Sequence, residues 1–126
     1  MRPKTLAEVA ELTAQGDSFD RCLASFLDGF YSAPSAAALT DVPRLLQPNL
    51  AKRGQVQDVY LAATAEALAS AYQFSVPAWT VGDARVLRRP WFASSLAALR
   101  AVLILESPAP FRARNLFVSA NALSRV

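Results

Sequence analysis

Apolar positions recur at helical spacing along much of the chain. The clearest run is Phe19, Cys22, Leu23, Phe26, Leu27 and Phe30. These lie on one face of a helix at about 3.6 residues per turn. Asp20, Arg21 and Asp28 fall on the other side, Asp17 or Ser18 opens the helix and Pro34 stops it, since proline lacks the amide hydrogen. An earlier helix starts at Thr5 with Glu8 at capping-box spacing, buries Leu6, Val9 and Ala10, and ends at Gly16. Weaker patterns follow. Ser35–Leu39 predicts a short helix, Asp41 to Leu46 a turn or helix, Pro48-Asn49 a break, and Lys52-Arg53-Gly54 an exposed link. From about Gln55 to Tyr72, Val56, Val59, Tyr60, Ala63, Ala67, Leu68 and Ala71 keep the period of a long helix.

The second half is less regular. Phe74 to Phe92, with Pro77, Trp79, Gly82, Pro90 and Trp91, shows no period and predicts an irregular crossing anchored by its aromatics. Leu96–Glu106 is apolar nearly all round apart from Arg100 and Glu106, the pattern expected of a buried helix. Pro110 opens a short helix through Arg114 closed by Asn115, and Ser119–Leu123 makes a last turn. Strand alternation is weak, Val81 and Val86 included. The expected fold is all-α: a compact single domain over residues 1–126, a bundle of five or six helices with a long irregular aromatic connection.

Composition narrows the chemistry. The 126 residues contain no histidine, which excludes a Ser-His-Asp triad, a Cys-His pair and any histidine metal ligand. Cys22 is the only cysteine, so neither an intramolecular disulfide nor a thiolate zinc site can form. Gly16, Gly29, Gly54 and Gly82 are scattered, without the clustering of a phosphate-binding loop. Carboxylates of the second half are Glu66, Asp83 and Glu106. The expectation is a protein that is not an enzyme and uses no cofactor or metal. Residues 1–20 lack the apolar run of a signal peptide. The longest apolar run, Leu96–Leu105, is about half of the roughly 20 residues that span a bilayer. A cytoplasmic location without membrane contact is expected.

Charge is uneven. Residues 1–63 carry a net −1 and residues 64–126 a net +4, and every base of the second half is arginine. Arginine presents a planar fork matched to carboxylate and phosphate, so a basic face for an acidic partner is one reading and an ordinary solvated surface the other. Trp79 and Trp91 flank Arg85, Arg88 and Arg89. Arginine between aromatics suits base stacking, but packing anchors are the favoured reading. The bases are not lined along one helix as groove reading requires.

Four stretches carry a resemblance: Pro77-Ala-Trp79, Pro90-Trp-Phe92, Glu106-Ser-Pro108, and FRARNLFVSANALSR in Phe111–Arg125. They resemble a family of small uncharacterised bacterial proteins. That family ends in Glu-Ser-Pro, then Phe-Arg-x-Arg-Asn, Phe-Val and Asn-Ala-Leu-Ser-Arg. The similarity covers roughly residues 55–126. It implies an association with toxin–antitoxin-like or nucleotidyltransferase-type systems and transfers no activity. The residues themselves allow the closing segment to be a structural clasp, a recognised peptide, or both, with Leu116, Phe117, Val118, Ala122 and Leu123 inward and arginines and asparagines outward. Arg112, Arg114, Asn115 and Asn121 are the leading candidate contacts, Arg88 and Arg89 the next. The expected function is that of a non-enzymatic partner-binding protein, antitoxin-like, meeting an acidic protein surface. A nucleic-acid-binding regulator is the alternative, and a small-molecule module in the aromatic crossing the third. A homo-oligomer is compatible with each.

Overall fold

The computed structural model describes residues 2–94 and 96–125. Its first helix, α1, spans Leu6–Ala14. The Thr5 hydroxyl accepts from the Glu8 amide at 3.0 Å, while the Glu8 carboxylate accepts from the Lys4 amide at 2.6 Å. Amides left without partners at the helix start are thereby satisfied. Helix α2, Phe19–Ser32, is capped by Ser18 and buries all six residues of the Phe19–Phe30 stripe. Both helices lie where the pattern places them. A short α3, Ala37–Thr40, buries Leu39.

Helix α4, Gln47–Ala71, differs from expectation. The break at Pro48-Asn49 and the link at Lys52-Arg53-Gly54 are both inside helix, interrupted only at Ala51, where φ is 54° and ψ −128°. Proline is tolerated because it sits in the first turn. The cause is a long-range cap. The buried Asp58 carboxylate accepts from the amides of Leu46, at 2.7 Å, and Gln47, at 3.1 Å, which folds the first turn back onto the main helix. Gly54 is consequently buried against the Leu46 backbone, where a Cβ would collide, and is not part of an exposed link. Lys52 and Arg53 are exposed.

The crossing after α4 is irregular, with two 3-10 turns at Ala78–Val81 and Asp83–Arg85. It is pinned by two side chains. The Trp79 indole N–H donates to the Leu39 carbonyl at 3.0 Å. Arg85 is buried, donates to the carbonyls of Pro43 at 2.7 Å and Asp58 at 3.1 Å, and lies 4.9 Å from the Trp79 ring centre. Trp79 is thus a packing anchor, as expected.

Two strands, β1 at Trp91–Phe92 and β2 at Leu116–Phe117, pair in parallel with Trp91 against Leu116. Two residues are too short to show alternation, so no sequence pattern announces them. Between them lie a 3-10 turn at Ala97–Leu99, helix α5 at Arg100–Glu106 and helix α6 at Ala109–Arg112. The expected burial of Leu96–Glu106 is overturned. Only Leu103 is buried there, while Leu96 is 62% and Leu105 80% exposed. Nor does this segment share a core with the Phe19–Phe30 stripe: neither buried cluster includes it.

The fold is therefore mostly helical, with six α-helices among the described residues. No described helix is long and apolar enough to cross a membrane. One cluster joins α1, α2 and α4 through residues such as Leu6, Phe26, Phe30, Leu61 and Leu68. The second joins the far side of α4, through Val59 and Ala63, to Leu87, Phe111, Leu116 and Val118. Tyr60 bridges them, edge-on to Phe19 at 5.9 Å and to Phe111 at 5.0 Å.

Candidate functional site

A groove of about 730 Å³ lies between α2 and α4. Phe19, Leu23 and Leu27 form one wall and Val56 and Tyr60 the other. Trp91 and the closing segment, through Ala122, Ser124 and Arg125, complete it. Its geometry follows from the Phe19–Phe30 stripe: α2 turns its apolar face to α4, and the end of that face reaches the groove. The closing segment is held by α2. The Arg125 guanidinium donates to both oxygens of Asp28, at 2.9 and 3.2 Å, and the Tyr31 hydroxyl donates to the Leu123 carbonyl at 2.8 Å. That guanidinium holds the Asp28 carboxyl below its ordinary 3.8.

Cations line the rim. The kink at Ala51 delivers Lys52 and Arg53 to the groove. A shallower depression of about 300 Å³ adjoins it, shared through Lys52, Val56 and Trp91, and is bordered by Arg88 and Arg89. Among the described residues, none of these four cations makes an ion pair. Inside the groove, burial pushes the Tyr60 hydroxyl up to about 12, so at neutral pH it stays protonated and does not act as a base. The Gln57 side chain borders the groove, and its Oε1 is buried without a hydrogen-bond partner among the described residues. No three described acidic or thiol side chains gather as a metal site.

The six residues singled out from sequence do not form one surface. Arg88 and Arg89 border the depression beside the groove and do not line the groove itself. Arg112 is exposed on α6, and Asn121 is exposed with its Oδ1 accepting from the Ser119 hydroxyl at 2.8 Å. Arg114 is not an outward contact. Only 7% exposed, it donates to Glu66 at 2.6 Å, to the Pro110 carbonyl at 2.8 Å and to the Thr80 carbonyl at 3.0 Å. Asn115 turns the chain with a φ of 63° and donates from Nδ2 to the Leu87 carbonyl at 2.8 Å. Both are internal fasteners. Lys52, Arg53 and Trp91 were missed as rim residues, because only the fold brings positions 52 and 91 together. Comparison with protein-family models, with curated proteins and with solved structures finds no match to this chain.

Proposed function

We propose that the protein is a non-enzymatic binding module. Its α2–α4 groove receives an acidic, apolar-faced segment of a partner protein. The observation that carries this reading is that Lys52 and Arg53 line an apolar groove walled by Leu23, Leu27 and Val56 while Arg88 and Arg89 border the adjoining depression, all four without carboxylate partners among the described residues. Apolar side chains supply contact area, and unpaired cations supply orientation and a faster encounter. An amphipathic helix laid in a groove is the recognition mode this shape fits. An antitoxin-like role in the cytoplasm belongs to this reading through the resemblance of the closing segment alone. Arg88 and Arg89 become the leading contacts, and Arg112 and Asn121 peripheral ones.

A second reading is a nucleic-acid-binding regulator. It is favoured by Trp91, half-exposed beside Arg88 and Arg89, since a base stacks on such a ring. The aliphatic walls of the groove favour the peptide. The test is a titration followed by tryptophan fluorescence, using a designed acidic amphipathic helical peptide, its basic counterpart, and single-stranded and duplex DNA. The acidic peptide should bind, and the Arg88→Glu/Arg89→Glu variant should bind at least about tenfold more weakly with unchanged melting. Preferential binding of DNA, with affinity falling steeply as salt rises, would replace the first reading by the second.

A further inference from the structure

The closing segment changes character after Val118. Up to that residue it is sewn into the molecule. Arg114, Leu116 and Val118 are buried, and Val118 exchanges hydrogen bonds with the Ser107 hydroxyl at 2.9 Å. From residue 119 to residue 125 no residue is buried. The amides of Ala122 and Ser124 bond within the stretch, to the Ser119 and Asn121 carbonyls at 3.1 and 2.9 Å. Among the described residues, its hydrogen bonds to the rest of the molecule are the Ala120 amide on Glu106, the Tyr31 hydroxyl on Leu123 and Arg125 on Asp28. The Arg125 and Asp28 side chains are 41% and 40% exposed, and exposed pairs add little stability. A stretch with few buried contacts and solvated fasteners belongs to the part of a fold that opens first.

Its resting place is specific. Asp20, Ala24 and Leu27 of α2 line the open groove. Asp28 and Tyr31, which hold the stretch, continue the same face of α2. At about 100° per residue, all five fall within an arc of about 100°. Leu123 packs against both apolar clusters, and Ala122, Ser124 and Arg125 line the groove. The stretch thus sits as a bound ligand would, with an apolar anchor between the clusters and a charge paired on α2. We infer that residues 119–125 are a strap: an internal occupant that closes the Asp28–Tyr31 end of the groove and lifts, pivoting after Val118, to lengthen it.

Lifting uncovers the apolar seat of Leu123 and the Asp28 carboxylate. A ligand filling the lengthened groove then meets Lys52 and Arg53 on the α4 wall and Asp28 on the α2 wall. It replaces Leu123 with an apolar group of its own and brings its own base for Asp28. The apparent affinity for such a ligand is the intrinsic affinity reduced by the fraction of molecules with the strap raised. The latch at Asp28 and Tyr31 therefore regulates the groove without altering the side chains of its open part. The inference rests on the groove being a binding site and not on its ligand being a peptide.

The experiment places a nitroxide label on Ser124→Cys in the full chain, where Ser124 is exposed and the native Cys22 is buried. The strap is loosened by Tyr31→Phe with Leu123→Ala, which alter no charge and no residue lining the groove. Circular dichroism should match that of the parent, and Tyr31→Phe alone serves should the pair not fold. The label should be restricted in the parent and mobile in the loosened chain. The probe is bis-anilinonaphthalenesulfonate, an apolar dianion. The loosened chain should bind it at least roughly threefold more tightly, and the dye should mobilise the label on the parent. A label equally restricted in both chains overturns the inference, as does dye binding that is equal or absent. So does dye binding that leaves the parent's label restricted, which makes the stretch a fixed wall. Failure of an acidic peptide on both chains, with label and dye behaving as expected, sinks the peptide reading and supports the strap.

Discussion

Helices α2 and α5 draw on similar apolar side chains and end in opposite environments. Phe19, Cys22, Leu23, Phe26, Leu27 and Phe30 of α2 are all buried, whereas α5 buries Leu103 alone. The difference is asymmetry. On α2 the charged residues Asp20 and Arg21 are exposed on the side opposite the stripe, so one orientation is far better solvated than any other. On α5 every orientation exposes apolar surface, and hydrophobicity by itself selects none. Its orientation is set instead by local fasteners: the Ser107 hydroxyl bridging Leu103 and Val118, and Arg100 on Phe92. A helix apolar all round needs neighbours all round, and the rest of the chain is already committed to the two clusters on either side of α4.

The contrast can be broken most directly by paired truncations. Phe26→Ala removes a ring that is 1% exposed and should cost about 3–5 kcal/mol. Leu105→Ala should stay within about 0.5 kcal/mol. Comparable losses in urea titrations would erase the distinction. The next contrast lies within the closing segment. Arg114→Ala leaves Glu66 and two carbonyls without their donor and should cost about 2–4 kcal/mol. Arg112→Ala, at an exposed position, should cost less than about 0.5 kcal/mol. Equal effects in the same titration would return Arg114 to the surface. A third prediction compares Asp58→Ala with Asp41→Ala. The first strips two amides of their acceptor and should cost about 2–3 kcal/mol, and the exposed second very little.

The smallest effect concerns pH. Arg125 lowers the Asp28 carboxyl below 3.8, so the folded state holds that proton less tightly than the unfolded chain. The associated stability is present above the unfolded value and disappears as pH falls through the folded one. Asp58 runs the other way. Burial raises its carboxyl despite the two amide donors, so its contribution is fullest at low pH and declines as pH rises through the folded value. Melting of Asp28→Asn should therefore converge on the parent's below about pH 3.8. A gap that widens there would remove the Asp28–Arg125 link from the account.

Helices α1 and α2, their caps and their buried faces were legible because each is a local pattern of residues three or four apart. The irregular crossing and its Trp79 anchor were legible for a related reason, since proline and tryptophan punctuate the chain. What escaped the pattern is long-range. Asp58 caps amides eleven and twelve residues back, which turned an apparent break and link into one kinked helix. Arg114 resembles its neighbour Arg112 in sequence but meets Glu66, 48 residues away. The groove rim needed positions 52 and 91 to meet, and the apolar run at 96–105 could not announce which side would face water.

The two clusters on either side of α4 also differ in when the growing chain can complete them. Buried members of the first run from Leu6 to Ala69, while the second waits for Val118. At roughly 5–20 residues per second of synthesis, about fifty residues separate the two, an interval of several seconds. Throughout it α1 and α2 have their partners, and the Val59 and Ala63 side of α4 does not. That side is the surface a nascent-chain chaperone would meet, and residues 111–118 are those that complete its cover. Proteolysis of chains arrested at successive lengths should show α1 and α2 protected well before α4 is covered on both sides.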